Sequence, residues 1–431
     1  MDVRDPIHGN IELSNSEVAV LDSAAYQRLR AIKQLGFSEF SFPGATHNRY
    51  LHSLGVCHLA GVAFDSIFKK FKFSSDSVRA RFRQTVRLGA LLHDIGHGPM
   101  SHASEEVMPP LADLKIDAYK YKKVAPDLKA QANHEDYTIK FLTDSSLTTV
   151  LRSQFSDISP LHISSLIDKS LELKDDFFID QGFDFRTILG QIVSSEMDVD
   201  RLDYLERDAY FCGTNYGKIE MEWLMTNLTY HQHEGRLHLA LNRRALYTFD
   251  DFLLARHHMH LMVYFHHKSI IFEEMLYRYL QSPDCTFRVP ADIEKYIHCT
   301  DHALYEHLAS VHNPWARRVS ERRPFKMLFE LHSNTPSDRP QLIKAALEES
   351  GITTIHSSSQ ARLSKYHSGS PADKVLQIFV VDEFDFKSQP YPLEQSTEIF
   401  SKYEQIRRID RLYVAPEDFD RGEKILIERK I

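Results

Sequence analysis

The chain has 431 residues, of which 42% are hydrophobic and 26% charged, proportions that exclude global disorder and predict two or three domains. Its formal charge of −8 argues against stable binding to nucleic acid, which needs a basic face, but leaves room for a small anionic substrate. Four scattered cysteines without a C-x-x-C pair, a charged start without an apolar h-region, and no apolar run near the roughly 20 residues of a membrane span predict a cytoplasmic protein with no membrane partner.

In chain order, residues 1–20 read as an extended or hairpin entry with a turn at Pro6–Gly9. From Ser23 onward helical spacing takes over: Leu21, Tyr26, Leu29, Ile32 and Leu35 recur at helical intervals until Gly36 offers a stop. Further helices are predicted at about 51–70, 77–95, 134–152, 160–173, 186–211 and 245–282, with almost no strand-like alternation before residue 282. The segment 109–132, rich in Lys, Ala and Asp, reads as a solvated insertion. After Pro283 short β-branched or aromatic runs, Leu376–Val381 and Leu412–Ala415, alternate with helical pieces at 300–311, 340–349 and 394–406. The Ser-rich stretch 356–373 reads as a mobile loop. The expected fold is therefore mainly α, with an all-helical catalytic core over 1–285 and a smaller α+β lobe over 286–431. No P-loop and no GxGxxG occur.

Twenty-four histidines make their placement worth reading. His93–Asp94 is the sole His-Asp dipeptide, ending an apolar helix and followed by Gly96-His97-Gly98. An imidazole beside a carboxylate suits a divalent ion holding phosphate oxygens, although the pair taken alone is more often an exposed helix end with a capping His. Upstream, His47-Asn48-Arg49-x-x-His52 opens another helix and places Arg49 and His52 on one face. A guanidinium fork next to a metal ligand is suited to phosphate cleavage. Downstream, Asp200, Tyr204 and Asp208 form an i, i+4, i+8 stripe adjoined by Arg201. In most acidic helices such a stripe is a charged solvent face, but here Leu202, Leu205 and Ala209 flank it, as on a helix packed on both sides. The cluster His257, His258, His260, His266 and His267 spreads around a helix, which favours structural or substrate-lining roles over a second metal site.

Taken together, H-N-R-x-x-H, L-L-H-D-I-G-H-G-P-M-S-H, His134-Glu135 and D-V-D-R-L-D-Y-L-E-R-D resemble the HD-domain phosphohydrolase superfamily. Within it the closer likeness is to the deoxynucleoside triphosphate triphosphohydrolase branch, which DPIHGNIEL, YQRLRAIKQLG, FPGATHNRYLHSLGV and DAYFCGTNYG also match. The resemblance covers about residues 1–285. It implies one divalent metal ion (Mn, Mg, Fe, Zn, Co or Ni) on His52, His93, Asp94 and Asp200. It places His102 as a catalytic histidine, His134 as its second histidine and His97 on a phosphate contact, with Glu105 where the branch often has Asp. Arg49, Tyr204 and Asp208, with Arg201 beside them, match positions that hold phosphate and sugar, and Gln34 and Leu35 match positions beside the deoxyribose. Tyr264, His267 and Lys268 resemble a substrate-reaching segment whose register, His266 against His267, stays open. Asp22, Gln27 and Arg30 match positions that bind an activating guanine nucleotide in vertebrate members, while Met1 stands where those members carry a basic residue. The implied reaction is attack of water on the α-phosphorus of a dNTP, releasing deoxynucleoside and triphosphate, in a homodimer or homotetramer. The same metal site would equally serve nucleoside monophosphates, cyclic dinucleotides or single-stranded nucleic-acid ends. A nucleotide-sensing module without turnover is the remaining alternative.

Overall fold

The computed structural model describes residues 1–361, 378–384, 389–396, 407–429 and 431. The chain enters as an antiparallel hairpin, β1 (Asp2–Asp5) and β2 (Gly9–Glu12), paired from Asp2↔Glu12 to Asp5↔Gly9. Its turn is closed by Asp5, whose Oδ1 accepts from the backbone N–H groups of Ile7 and His8 at 2.9 Å each. The helix expected from Ser23 to Gly36 is instead a chain of short turns. Ser23 caps only Ala24–Gln27, and Ile32 adopts an extended conformation. Lys33 then pairs with Asn48 in a bridge, with its N–H donating to Asp301.

The helical core is built on α1 (Arg49–Ile67), started by Asn48, and α2 (Asp76–Leu92), started by Ser75. Most of α1 is buried on all sides, as a central helix requires. The helix expected over 134–152 divides. α3 (His134–Thr143) carries an Asn133–Asp136 capping box, and Ser145 opens a separate helix, Ser146–Gln154. The helix expected over 186–211 also divides, into α4 (Arg186–Val193) and α5 (Val199–Cys212). Asp198 causes that break, because its carboxylate accepts from the N–H groups of Ser195 and Arg201, both at 2.8 Å.

Three further expectations are corrected. Residues 109–132 are not a solvated insertion throughout: Leu111, Leu114, Ile116, Ala118 and Tyr119 are buried, and Tyr119 donates to Asp136 of α3. Strands do occur before residue 282. β3 (Leu228–His233) and β4 (Arg236–Asn242) form a hairpin through Glu234 and Gly235, both at positive φ. Past it, the helix expected over 245–282 is interrupted. α6 (Leu246–Met259) runs into a π-helical turn, His260–Tyr264, and His266 then caps α7 (His267–Leu280).

In the C-terminal region β5 (Lys326–Ser333) and β6 (Thr354–Ala361) flank β8 (Arg407–Val414), both antiparallel to it. The intervening β7 (Phe379–Val381) pairs in parallel with β4 and so continues a core sheet. Helices Asp301–Ser310 and Arg339–Glu349 stand where helical pieces are expected. A small cluster of Ile343, Leu347, Ile352, Leu412 and Val414 forms a local core here, beside a main core running from Ile11 to Ala415. The Ser-rich stretch is not a loop over its first part, since His356–Ala361 belongs to β6. Its remainder, 362–373, lies outside the described residues, as do residues 376–377 of the expected strand and 397–406 of the expected helix. The architecture is mainly α with a smaller α+β part. Among the described residues no helix is long and apolar enough to cross a membrane.

Candidate active site

Three helix ends converge on one point. His52 sits in the first turn of α1, His93 and Asp94 directly follow α2, and Asp200 lies in the first turn of α5. His52 is oriented by its Nδ1, 2.8 Å from Asp203 Oδ2, and His93 by its Nδ1, 2.8 Å from the Ala90 carbonyl. Both rings thereby turn Nε2 inward, where these two atoms and an Asp94 oxygen lie within 4.8 Å of one another. Asp200 Oδ1 stands 3.0 Å from His52 Nε2 and 3.5 Å from His93 Nε2. Both Nε2 atoms are buried without a hydrogen bond of good angle to a described residue. Buried polar atoms are rarely left so. Two inward imidazole nitrogens with two carboxylates form the borderline and hard donor set that a divalent ion takes. The residues present fit such an ion.

The local electrostatics follow from this crowding. Burial disfavours the charged His52 ring, but Asp200 and Asp203 outweigh it and push it up to about 10. Burial likewise opposes ionisation of Asp94, yet the Arg49 guanidinium holds its carboxyl well below the usual carboxylate range. Arg49 pairs through Nη1 with Asp94 and reaches Ser101 Oγ through Nε at 3.1 Å and Nη2 at 2.9 Å.

A second group adjoins the first. The His97 and His134 rings stack with centroids 3.9 Å apart, and His102 stands edge-on to both. Glu105 joins His102 to His134, its Oε1 lying 3.0 Å from Nδ1 of one and 2.5 Å from Nδ1 of the other. Although burial raises the Glu105 carboxyl, these two imidazoles bring it below its ordinary range. Glutamate's longer arm thus spans two histidines. His97 Nε2 is 3.3 Å from Asp94 Oδ1, which ties the two groups together.

Both groups border a cavity of about 810 Å³ that Gln34, Leu35, Arg201, Tyr204, Asp208 and Tyr264 also line. Asp208 is held by His47 Nε2 at 2.7 Å and by the Tyr264 hydroxyl, which donates at 2.9 Å. His267 and Lys268 are not brought to this cavity. Neither is His266, which caps α7 with its Nδ1 2.8 Å from Ser41 Oγ. Asp22, Gln27 and Arg30 do not line this cavity, and Asp22 is an exposed residue that ends the helix Asn15–Leu21. Gln27 holds Arg30 at 2.8 Å and Arg30 covers the Tyr50 ring. Sequence reasoning missed Asp203, the part of Ser101, and the cavity residues Glu273, Glu274 and Ser357–Ser359. Asp203, three residues after Asp200 in the same acidic run, was the one with a readable signal.

Residues 49–208 match the HD domain, and residues 219–355 match the HD associated region. The chain belongs to the HD-domain proteins. It is 31% identical over 274 residues to the uncharacterized protein MG461 of Mycoplasma genitalium, covering 63% of this chain and 57% of that one. It is 26% identical over 365 residues to the deoxynucleoside triphosphate triphosphohydrolase SAMHD1 of Gallus gallus, covering 78% and 57% respectively. The chain thus spans little more than half the length of these two curated relatives. A solved structure of a hypothetical protein from Aquifex aeolicus shares the fold, with a TM-score of 0.73, 22% identity and 99% of both chains covered. All four residues expected as metal ligands fall inside the HD domain.

Proposed function

We propose that this chain is a metal-dependent phosphohydrolase that converts deoxynucleoside triphosphates to deoxynucleoside and triphosphate. The observation that carries the reading is the meeting of His93, Asp94, Asp200, the Arg49 fork and the His97–His102–His134 group on one cavity of about 810 Å³, with His52 Nε2 3.0 Å behind Asp200 Oδ1. That volume lies in the range of about 300–1,000 Å³ common for small-molecule sites. The SAMHD1 relatives support the triphosphate as substrate.

A divalent ion on His52, His93, Asp94 and Asp200 would supply charge neutralisation and polarisation at a phosphate oxygen. Arg49 presents its N–H donors to phosphate oxygens beside that position. Attack of water forms one P–O bond and breaks the bond to the sugar 5′-oxygen. His102 gives that oxygen its proton, Glu105 and His134 hold the ring, and the proton lost by water restores the imidazole over the cycle. Tyr204 and the Asp208–Tyr264 pair hold the sugar, while Gln34 and Leu35 wall the same cavity. Dimer or tetramer formation, activation through Asp22, Gln27 and Arg30, and a cytoplasmic setting belong to this reading.

One observation favours a second reading. Among the described lining residues the Arg and Lys side chains are Arg49 and Arg201, each already paired with a carboxylate, Asp94 and Asp198. That sparse positive charge suits a substrate with fewer phosphates, such as a nucleoside monophosphate or a nucleic-acid end. Incubation with each dNTP and dNMP, with Mn²⁺ or Mg²⁺ and with or without GTP, followed by ion-exchange chromatography, separates the two. Inorganic triphosphate as product, lost on His93→Ala or Asp200→Ala, supports the first. Intact dNTPs with turnover of monophosphates select the second. Nucleotide binding without any turnover would leave only a sensing role.

A further inference from the structure

The N-terminal hairpin ends in the interior of the protein, against the helices that carry the HD residues. His8, one residue before β2, places Nε2 2.6 Å from Asp203 Oδ1. The other oxygen of the same carboxylate stands 2.8 Å from His52 Nδ1. Asp203 is also gripped by Arg207, through Nε at 2.8 Å and Nη2 at 2.9 Å. Arg207 then reaches Asp5 at 2.8 and 3.2 Å, and Asp5 closes the turn that presents His8. The contacts form a closed ring, Asp5–Arg207–Asp203–His8, from which His52 branches at Asp203.

Every member of the ring is buried. The side chains of Asp203 and Arg207 are 0% exposed, that of Asp5 2% and that of His8 5%. Backbone geometry is fitted to them as well. A Cβ on Gly55 of α1 would lie 1.9 Å from Asp203 Oδ1 and 2.4 Å from Arg207 Nη2, so a glycine there makes room for the pair. A buried carboxylate gripped from three sides has one position, and so does the imidazole bonded to it. The effect is to fix which nitrogen of His52 faces the other HD residues, and at what angle.

We propose that the hairpin is a working part of the metal centre and that His8 is a positioning residue, acting through Asp203 to hold His52 as a ligand. The inference rests on the metal-site reading of His52, His93, Asp94 and Asp200. Removal of an outer partner of a metal-bound histidine typically weakens metal affinity about 10–100-fold. A purely structural hairpin would move only the stability of the whole protein and leave metal affinity alone.

The test is titration of chelator-treated full-length protein with Mn²⁺, read as a dissociation constant, with thermal midpoint and circular dichroism measured before metal is added. His8→Ala is expected to bind Mn²⁺ about 10-fold more weakly, in addition to a lowered metal-free midpoint from the lost partner of the buried Asp203 carboxylate. His8→Gln, which keeps a donor, should recover part of that loss and decides the matter should His8→Ala fail to fold. Unchanged Mn²⁺ affinity in both His8 variants, with affinity lost in His93→Ala, would overturn the proposal and leave the metal site standing. Equal Mn²⁺ affinity in wild type and His93→Ala would overturn the metal site and the proposal together.

Discussion

Gly96 lies directly against the first turn of the helix that begins at His134: a Cβ on residue 96 would stand 2.0 Å from the His134 carbonyl oxygen and 2.4 Å from the Thr138 nitrogen. Two hydrogen bonds seal the contact. Gly96 N–H donates to Thr138 Oγ1 at 3.0 Å, and that hydroxyl donates to the His93 carbonyl at 3.1 Å. Through it the turn after the His-Asp pair and the helix bearing His134 become one unit, which is why the rings of His97 and His134 can stack. Gly96→Ala must push the helix away. Since a displacement of about 1 Å can cost about 10²-fold, kcat/KM should fall at least that much, while Thr138→Ser, keeping the hydroxyl, should stay within a few-fold. Near-normal turnover by Gly96→Ala would mean the two segments need not be in register.

Glu105 accepts from His102 and His134 with a single oxygen. A glutamine offers one carbonyl oxygen of lower charge and an amide N–H2 that neither imidazole N–H can use. Glu105→Gln should therefore lower kcat by roughly 10²-fold, the lower end of what positioned proton transfer contributes, and leave KM within a few-fold. The opposite pattern in steady-state kinetics, KM raised with kcat kept, would assign Glu105 to binding.

How much of this was readable from sequence depends on the range of the interactions. His93 and Asp94 stood out as a His-Asp pair ending an apolar helix before Gly96 and Gly98, and His52 as a histidine three residues from Arg49 at the start of another, whereas Asp200 was marked by its stripe with Tyr204 and Asp208 and by the family resemblance. The break at Ser194–Asp198 was not legible, because Asp198 reads as one more helix-compatible acid until its two backbone contacts are seen. The hairpin of β3 and β4 was legible in part: Leu237, Leu239 and Leu241 recur at every second residue of β4 and Glu234-Gly235 supplies the turn, while burial of both faces also takes His238, Ala240 and Asn242 inside. Beyond the π-helical turn, a phase counted at 3.6 residues per turn from α6 no longer holds. For that reason His267 and Lys268 point elsewhere than a continuous helix would aim them. His8 and Asp203 are 195 residues apart, and no local pattern joins them.

Glu273 on α7 lines the cavity, and burial, aided by Glu274, pushes its carboxyl up to about 7. In the unfolded chain the same group titrates near 4.5. Between those values the folded state binds more protons than the unfolded one, so stability falls as pH rises through this window. Thermal midpoints from pH 5 to 8 should therefore decline more steeply in wild type than in Glu273→Gln, which has no proton to lose. An ionised Glu273 also adds negative charge where an anionic substrate binds, so the KM of wild type should rise above pH 7 and that of the variant should not. Parallel curves for the two proteins in both measurements would place this carboxyl in a solvated setting with an ordinary titration.

Arg49 joins the HD pair to the turn that follows it. One face of its guanidinium meets Asp94 and the other meets Ser101 Oγ. Met100 and Ser101 both hold positive φ, 55° and 57°, a conformation that non-glycine residues adopt only when their surroundings hold it there. Ser101 Oγ also donates to the Lys33 carbonyl at 3.0 Å, so the strained turn is pinned from both sides. Lysine keeps the charge but has no planar fork, and it can satisfy Asp94 or Ser101 but not both. Hydrogen bonds to charged groups contribute about 1.5–3 kcal/mol each, and the turn also sets the position of His102. Arg49→Lys should therefore lose roughly 10²-fold in kcat/KM, at about 1.4 kcal/mol per tenfold, with Ser101→Ala losing about 10-fold through the same turn. Kinetics on both single variants and the double decide the coupling. If the losses simply add, Arg49 acts on substrate alone. If the double is no worse than Arg49→Lys, the guanidinium works by holding Ser101 and the turn that carries His102.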